Sequence, residues 1–260
     1  MKKCLLAALC LALLLLCGCS QYSGKYDDGI KAFSNGDFAE AAAIFSACDP
    51  SYGNAATYAS YSQGMVFFQQ GQYAAAEPYF ESTQGFMYAS QRYQYCHGCV
   101  LCEQGDFTGA AEAFTKVGEF EDAPQWLQYA QAREAEQNNQ YQEALYGYEA
   151  AGEVSDAPDR LLNLQTQIYS HAIELMQSGD YDRALILFSY LGDYLSSQDY
   201  AQQCREVDRD SLYDQAETYV SQGELAQAWR LFTSLGSYRD AAARAEELAE
   251  ALGFGDTEEE

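Results

Sequence analysis

Residues 94–114, "QYCHGCVLCEQGDFTGAAEAF", contain one full copy of the pattern from which the fold is predicted. Three cysteines, Cys96, Cys99 and Cys102, with His97 between two of them, give the stretch the look of a metal or iron–sulfur site. Its tyrosine, glycine, alanine and phenylalanine residues, however, return at similar spacing along most of the chain. A period of roughly 20–50 residues is typical of solenoids and related arrays. The role of the three cysteines therefore depends on their positions within the repeat.

Each copy of the repeat is anchored on one glycine or asparagine: Gly36, Gly71, Gly105, Asn139, Gly179 and Gly223. Five places after the anchor, every copy has alanine: Ala41, Ala76, Ala110, Ala144, Ala184 and Ala228. Nine places after it, every copy has an aromatic ring: Phe45, Phe80, Phe114, Tyr148, Phe188 and Phe232. Ten places before it, every copy has tyrosine: Tyr26, Tyr61, Tyr95, Tyr129, Tyr169 and Tyr213. The agreement of six copies establishes an internal repeat.

Each repeated position has a physical meaning. The residues two, five and nine places after the anchor fall on one helical face, and the alanine lets a neighbouring helix approach closely. The residues ten, seven, six and three places before it form the stripe of a second amphipathic helix. Glycine or asparagine at the anchor accepts the left-handed conformation of a helix C-terminus. The unit is therefore predicted to be helix A, a tight turn and helix B.

A second glycine follows helix B in four copies, at Gly118, Gly152, Gly192 and Gly236. Asp-Ala-Pro or Asp-Ala comes a few residues later, beginning at Asp122, Asp156 and Asp240. Aspartate is a favoured N-cap and proline is tolerated in the first helical turn. Each repeat is therefore predicted to end by starting the next helix A.

This pattern resembles the tetratricopeptide repeat, a helix pair of about 34 residues, over residues 22–252. The resemblance implies an all-α fold, a right-handed α-solenoid of about six helix-turn-helix repeats over residues 26–252. Residues 238–252 would form a C-terminal capping helix. The last two anchor spacings are longer than the others, which predicts that helix A of units five and six is either extended or broken near residues 205–211.

In tetratricopeptide domains the helix A positions ten, six, three and two places before the anchor line the concave groove. Carried over, the resemblance implies a candidate groove formed by Tyr26, Tyr61, Tyr95, Tyr129, Tyr169, Tyr213, Met65, Phe68, Arg133 and Glu136. A tyrosine ring and hydroxyl suit contact with a peptide or a glycan. The alternative is that these tyrosines pack helix A against its neighbour, and the two roles are not exclusive.

The cysteines of the quoted stretch fit the repeat better than they fit a metal site. Cys99 and Cys102 occupy mainly apolar positions of helix A, while Cys96 and His97 are expected toward its polar edge. Residues spaced by three on a helix spread around its circumference and do not converge on one ion. His97 and His171 are expected to face solvent without a paired carboxylate, serine or cysteine. The sequence predicts no metal, no cofactor and no catalytic residue.

The N-terminal segment predicts the location. Two lysines precede a twelve-residue apolar run, residues 5–16, which is too short to span a bilayer and matches the core of a signal peptide. Leu16-Cys17-Gly18-Cys19 resembles the lipobox of bacterial lipoproteins. The resemblance implies a signal peptide over residues 1–18, lipid attachment at Cys19, a lipidated tether over 19–25 and a position on the extracytoplasmic side of a bacterial membrane, in the cell envelope. Residues 253–260 are predicted to be an acidic tail.

The charge of the chain restricts its partners. The formal net charge is −25, with 39 acidic and 14 basic side chains. Such a chain repels nucleic acid and anionic lipid headgroups, so membrane attachment is expected through the lipid anchor. The prediction is a membrane-anchored scaffold that binds a protein or peptide partner of unknown identity. The alternatives are a lipoprotein that binds a solute or glycan in the tyrosine-lined groove, and a metal or redox protein that uses Cys96 and its neighbours.

Overall fold

The structure is a computed structural model and describes residues 24–254. The predicted signal peptide, the lipid-attachment residue Cys19, most of the tether and residues 255–260 of the predicted acidic tail lie outside the described residues. Those predictions are therefore not addressed by the fold.

Residues 24–254 form thirteen α-helices and contain no strand. The helices are α1 (24–35), α2 (Phe38–Ser46), α3 (Ala55–Gln69), α4 (Tyr73–Ser82), α5 (Ala89–Gln104), α6 (Phe107–Val117), α7 (Ala123–Gln137), α8 (Tyr141–Ala151), α9 (Ala157–Ser178), α10 (Tyr181–Leu191), α11 (Ser197–Gln222), α12 (Leu225–Leu235) and α13 (Ala241–Ala251). They form six helix pairs followed by one further helix. The predicted all-α class and the six-copy succession with a C-terminal helix are confirmed.

The chain divides into two compact units, the first ending at Pro158 and the second beginning at Asp159. In the first unit each helix from α2 to α8 packs against the next, and Ala32 of α1 shares a cluster with Phe45 of α2. In the second unit α10, α11, α12 and α13 pack consecutively, and the rings of Tyr169 and Phe188 join α9 to α10 at a centroid distance of 5.9 Å. Each unit is therefore built from consecutive helix pairs, as a helical-repeat solenoid requires.

The interior of each pair is made by the repeated alanine and aromatic residues of helix B. All six alanines are completely buried, and the six aromatic rings are at most 1% exposed. The small residue of helix A lies against that ring. At Gly98, an added Cβ would lie 2.7 Å from Cζ of Phe114. In each repeat, the aromatic ring of helix B thus packs against a glycine or alanine of helix A.

The anchor residues adopt the backbone conformation that the sequence predicts. All six have a positive φ, from 57° at Asn139 to 87° at Gly179. At Gly105, where φ is 82° and ψ is 9°, the following N–H of Asp106 donates to the carbonyl of Leu101 at 3.0 Å, which satisfies one of the last helical carbonyls. Asparagine tolerates this left-handed conformation better than other residues with a side chain, which explains Asn139.

The second glycine has a different and more restrictive conformation. Gly118, Gly152, Gly192 and Gly236 combine φ between 54° and 62° with ψ between −128° and −118°. This combination lies outside the left-handed helical region that asparagine tolerates. The four copies that have this turn therefore all use glycine.

We expect Gly118→Ala to lower the free energy of unfolding by about 2–3 kcal/mol, because alanine is strained in this conformation. Gly105→Ala is the matched control, with an expected loss of about 1 kcal/mol. An added Cβ meets no atom within 4 Å at either position, so backbone strain alone separates the two variants. Urea denaturation measures both, and equal losses would contradict the distinction.

The longer units contain longer helices. Helix α9 has 22 residues and α11 has 26, and α11 continues without interruption through residues 205–211. Of the two predicted alternatives for units five and six, the extended helix A is confirmed and the break is wrong. A continuous helix satisfies the backbone hydrogen bonds that a break would leave exposed.

Candidate functional site

The six tyrosines of the candidate groove divide into two groups. Tyr61, Tyr95 and Tyr129 are at most 3% exposed, whereas Tyr26, Tyr169 and Tyr213 are half-buried. Their rings lie against the interior. The ring of Tyr95, for example, meets that of Phe114 edge-on at 5.9 Å. Packing between helices is therefore one role of this tyrosine position, and ligand contact remains a prediction.

Three of the six tyrosine hydroxyls have an aspartate partner at the same repeat position. Those of Tyr95 and Tyr213 donate to the carboxylates of Asp122 and Asp240, and that of Tyr129 donates to Asp156 at 2.6 Å. In each case the aspartate stands immediately before the next helix A. Burial, followed by the hydrogen bond to Asp122, raises the pKa of Tyr95, which keeps its hydroxyl protonated as a donor. In these three copies the tyrosine hydroxyl thus connects one helix A by a hydrogen bond to the residue that precedes the next helix A.

One further repeated position was not recognised in the sequence. The fourth residue of each helix A from α3 onward has a planar side chain: Tyr58, Arg92, Trp126, Arg160, Tyr200 and Arg244. Aromatic members stack on the helix B ring of the preceding pair, as in Phe45–Tyr58 at 4.8 Å, Phe114–Trp126 at 5.8 Å and Phe188–Tyr200 at 5.4 Å. Arg244 places its guanidinium 5.5 Å from the centre of the Phe232 ring. The alternation of aromatic residue and arginine is visible in the sequence once helix A is aligned from its first residue.

Arg92 is the most enclosed of these arginines with described contacts. Its side chain is 13% exposed, and its guanidinium carbon lies 5.4–5.8 Å from the centres of four rings, among them Phe68 and Phe120. Its Nη1 donates to the hydroxyl of Tyr61 at 2.9 Å, because the position of the partner aspartate is occupied by Tyr88 in that copy. Arginine here replaces both an aromatic stack and a hydrogen-bond partner.

A pocket of about 380 Å³ opens in the first unit between α5 and α7. These two helices supply seven of its twelve lining residues: Cys99, Cys102, Glu103, Gln104, Trp126, Tyr129 and Arg133. The aromatic residues that begin α4 and α6, Tyr73 and Phe107, also line it. We refer to it as the α5/α7 pocket. Two of the ten candidate groove residues, Tyr129 and Arg133, thus lie in one cavity, while Met65 is buried in the interior and Phe68 packs on Tyr95 at 5.5 Å.

Arg133 is held in the α5/α7 pocket by several contacts. Its guanidinium carbon lies 4.3 Å from the centre of the Phe107 ring, and its Nη1 donates to the hydroxyl of Tyr129 at 2.8 Å. Its Nε lies 3.8 Å from Oε2 of Glu136. Glu136, a candidate groove residue, also accepts the hydroxyl of Tyr148. The positive charge of Arg133 is therefore compensated by a neighbouring carboxylate and fixed on an aromatic ring.

Glu103 differs from Arg133 because its charge has no counter-ion. Its side chain is exposed, and within residues 24–254 it forms no ion pair and no side-chain hydrogen bond. Burial is the main cause of the raised pKa values of Cys99 and Cys102, and the negative charge of Glu103 adds to both. The α5/α7 pocket therefore presents one compensated cation and one uncompensated anion.

The cysteine expectations are partly corrected. All five cysteines from Cys48 to Cys204 are free and buried, and Cys96 is completely buried, so its predicted place at a polar edge is wrong. Cys96 packs with Tyr61 and Phe80, because its position on α5 faces the preceding helix pair. Burial raises the pKa of Cys96 and Cys102 to about 12, and that of Cys99 rises further. These thiols stay protonated at neutral pH, which disfavours both nucleophilic attack and metal ligation.

The histidine expectation is also wrong in part. Nδ1 of His97 lies 2.8 Å from Oε1 of Glu77, and the ring stacks on Tyr93 at 5.8 Å. Nδ1 of His171 lies 3.7 Å from Glu174. Both rings remain partly exposed, but each has a carboxylate neighbour. Glu77 belongs to another helix than His97, so the sequence pattern did not indicate that pair, whereas Glu174 lies three residues after His171 on the same helix.

The part of the chain that the structure describes has neither a metal-binding cluster nor a membrane-spanning helix. Residues 24–254 contain no group of three histidine, cysteine, aspartate or glutamate side chains arranged to hold a metal ion. Within the same residues no helix combines the length and apolar character needed to cross a membrane.

Neither a protein-family model nor a curated protein matches this sequence.

Proposed function

We propose that the protein is an envelope lipoprotein whose tetratricopeptide-type repeats bind a protein or peptide partner and act as a scaffold. The observation that carries the proposal is the α5/α7 pocket, in which two successive A helices offer charged and aromatic side chains to one cavity. Concave sites with a few fixed polar groups among aromatic walls are suited to recognition. A binding role also agrees with thiols that burial keeps protonated.

The packing of the repeats supports this proposal by making the pocket rigid. Tyr129 is fixed between its donor Arg133 and its acceptor Asp156, and Trp126 is stacked on Phe114. Side chains fixed by their neighbours lose little conformational entropy when a ligand binds. A scaffold built in this way presents the same surface before and after its partner arrives.

Crosslinking in cells followed by mass spectrometry tests the scaffold proposal. We expect a specific protein to be recovered with the intact chain and to be lost when Trp126 and Arg133 are both replaced by alanine. Circular dichroism of the purified variant controls for its folding. Recovery of no protein above the level of an unrelated lipoprotein bait would contradict the proposal.

Attachment to the membrane is a separate part of the proposal and has its own test. We expect Cys19→Ala to move the protein out of the membrane fraction or to leave it unprocessed, because two acyl chains are needed for stable anchoring. Cys17→Ala is the matched control and should leave the protein in the membrane fraction. Fractionation and metabolic labelling with a fatty acid measure both, and unchanged labelling of the Cys19 variant would overturn the assignment.

Binding of a solute or glycan remains the second candidate. Trp126 favours it, since an indole ring at the edge of a pocket offers an apolar face to a sugar. The engaged hydroxyls of Tyr95 and Tyr129 count against a groove that uses tyrosine hydroxyls for this purpose. A thermal-shift screen with sugars and cell-wall fragments distinguishes the two candidates, because only this one expects a shift without a protein partner.

A further inference from the structure

The lining of the α5/α7 pocket contains two charged side chains, those of Arg133 and Glu103. Arg133 is the only cationic side chain of the described lining. Glu103 is the carboxylate of the described lining, Glu136 lies beside Arg133, and Asp156 accepts the hydroxyl of Tyr129, another lining residue. Cys99 also lines the pocket. Burial raises the pKa of its thiol, and the negative charges of Asp122 and Glu103 add to that increase. The described lining therefore contains one cation, which is paired with Glu136, and one carboxylate, that of Glu103, which is in no ion pair.

The walls of the pocket have the chemistry that holds a cation. Tyr73, Phe107, Trp126 and Tyr129 line it, and the faces of such rings attract ammonium and guanidinium groups. The protein already uses this interaction within its own fold, where the guanidinium of Arg133 rests on Phe107 and that of Arg92 lies among four rings. A second guanidinium or ammonium group would meet the remaining ring faces and the free carboxylate of Glu103.

We propose that the α5/α7 pocket binds a basic side chain, arginine or lysine, of the partner polypeptide, with Glu103 as its counter-ion. This inference rests on the proposed scaffold function and specifies the chemistry of the partner. The volume of about 380 Å³ accommodates one long side chain with its backbone and lies near the lower end of the range of about 300–1,000 Å³ for ligand sites. The net charge of −25 steers basic partners toward the protein and opposes acidic ones.

The two tryptophans of the chain provide a direct measurement. In a ¹⁵N-labelled full-length protein, the indole N–H signal of Trp126 reports on the pocket. That of Trp229, which packs on Phe254 in the second unit, is an internal control. The probes are three capped peptides, acetyl-Gly-X-Gly-amide, in which X is arginine, its neutral analogue citrulline, or glutamate. The arginine peptide is expected to shift the Trp126 signal alone, with a dissociation constant on the order of 1 mM for so small a ligand.

Two matched variants test the counter-ion. Glu103→Gln should weaken binding of the arginine peptide about tenfold, as expected for the loss of one charge-assisted contact. Glu112→Gln makes the same change in net charge at an exposed position of α6 outside the pocket and should leave binding unchanged. The citrulline peptide should bind the intact protein about tenfold more weakly than the arginine peptide.

Several results would overturn the inference. They are equal effects of the two variants, equal binding of the citrulline peptide, or tighter binding of the glutamate peptide, which would assign the pocket to an acidic ligand through Arg133. The same experiments distinguish failure of the scaffold proposal from failure of the pocket assignment. If crosslinking recovers the same partner with Glu103→Gln and the arginine peptide does not bind, the scaffold stands and the pocket assignment fails. If the peptide binds and no partner is recovered, the pocket assignment stands and the scaffold fails.

Discussion

Replacing Phe114 with alanine is expected to lower the free energy of unfolding of the first unit by about 3–5 kcal/mol. The ring is 1% exposed, stacks on Trp126 at 5.8 Å and meets Tyr95 edge-on at 5.9 Å. It also fills the space that Gly98 leaves on α5. Alanine would remove the buried apolar surface and leave a cavity among rigid neighbours, and both effects oppose folding.

Denaturation with urea, followed by circular dichroism, measures this loss. Tyr146→Ala is the matched control, since Tyr146 also lies on a B helix of the first unit but is 60% exposed. Its expected change is within about 0.5 kcal/mol. The interpretation of the helix B ring as the centre of each repeat would be wrong if the two variants were equally stable. Phe114→Leu should fall between them because it preserves most of the buried volume.

Replacing Gly98 with valine is expected to destabilise the first unit by about 3 kcal/mol or more, at the upper end of the cost of overpacking. A Cβ at this position would lie 2.7–3.0 Å from three atoms of the Phe114 ring. Valine adds two methyl groups to that Cβ, and Phe114 cannot move away because Trp126 and Tyr95 hold it. Helix α5 would have to separate from α6.

Gly24→Val is the control for this variant, because Gly24 is also helical but an added Cβ there meets no atom within 4 Å. We expect it to be neutral or slightly stabilising, since glycine is a poor helix former. Thermal unfolding of the two variants beside the parent protein compares them under one condition. A stable Gly98→Val protein would contradict the assignment of this position as the contact between helix A and helix B.

The sequence predicts the fold well because its strongest signals act locally. Asn139 and the anchor glycines indicate a backbone turn with positive φ. The repeated alanine and aromatic residue of helix B indicate close packing within one helix pair. These requirements operate within a single repeat and return in every copy. The order of helices A and B follows from them, whereas the choice between an extended and a broken helix A near residues 205–211 was left open by the sequence and is decided by the continuous α11.

The candidate site was less predictable because it depends on contacts between repeats. The buried position of Cys96 and the pair of His97 with Glu77 arise from the preceding helix pair. Likewise, Glu103 and Trp126 belong to different repeats, and only their packing brings them to the same cavity. Individual residues of this kind vary from copy to copy, so the repeat pattern that defines the fold says little about them.

The arginines that lie on aromatic rings of the fold affect how copies of this protein behave toward one another. The chain has only 14 basic side chains, and Arg92, Arg133 and Arg244 are largely enclosed against rings of their own fold. The basic groups left at the surface are correspondingly few, so the exterior is more uniformly anionic than the composition suggests. Two copies would repel each other at low ionic strength, and the repulsion would be screened beyond about 10 Å in 0.1 M salt. Under the proposed membrane attachment, neighbouring molecules would thus be kept apart by their anionic surfaces, because the arginines that could attract a neighbour are enclosed in the fold.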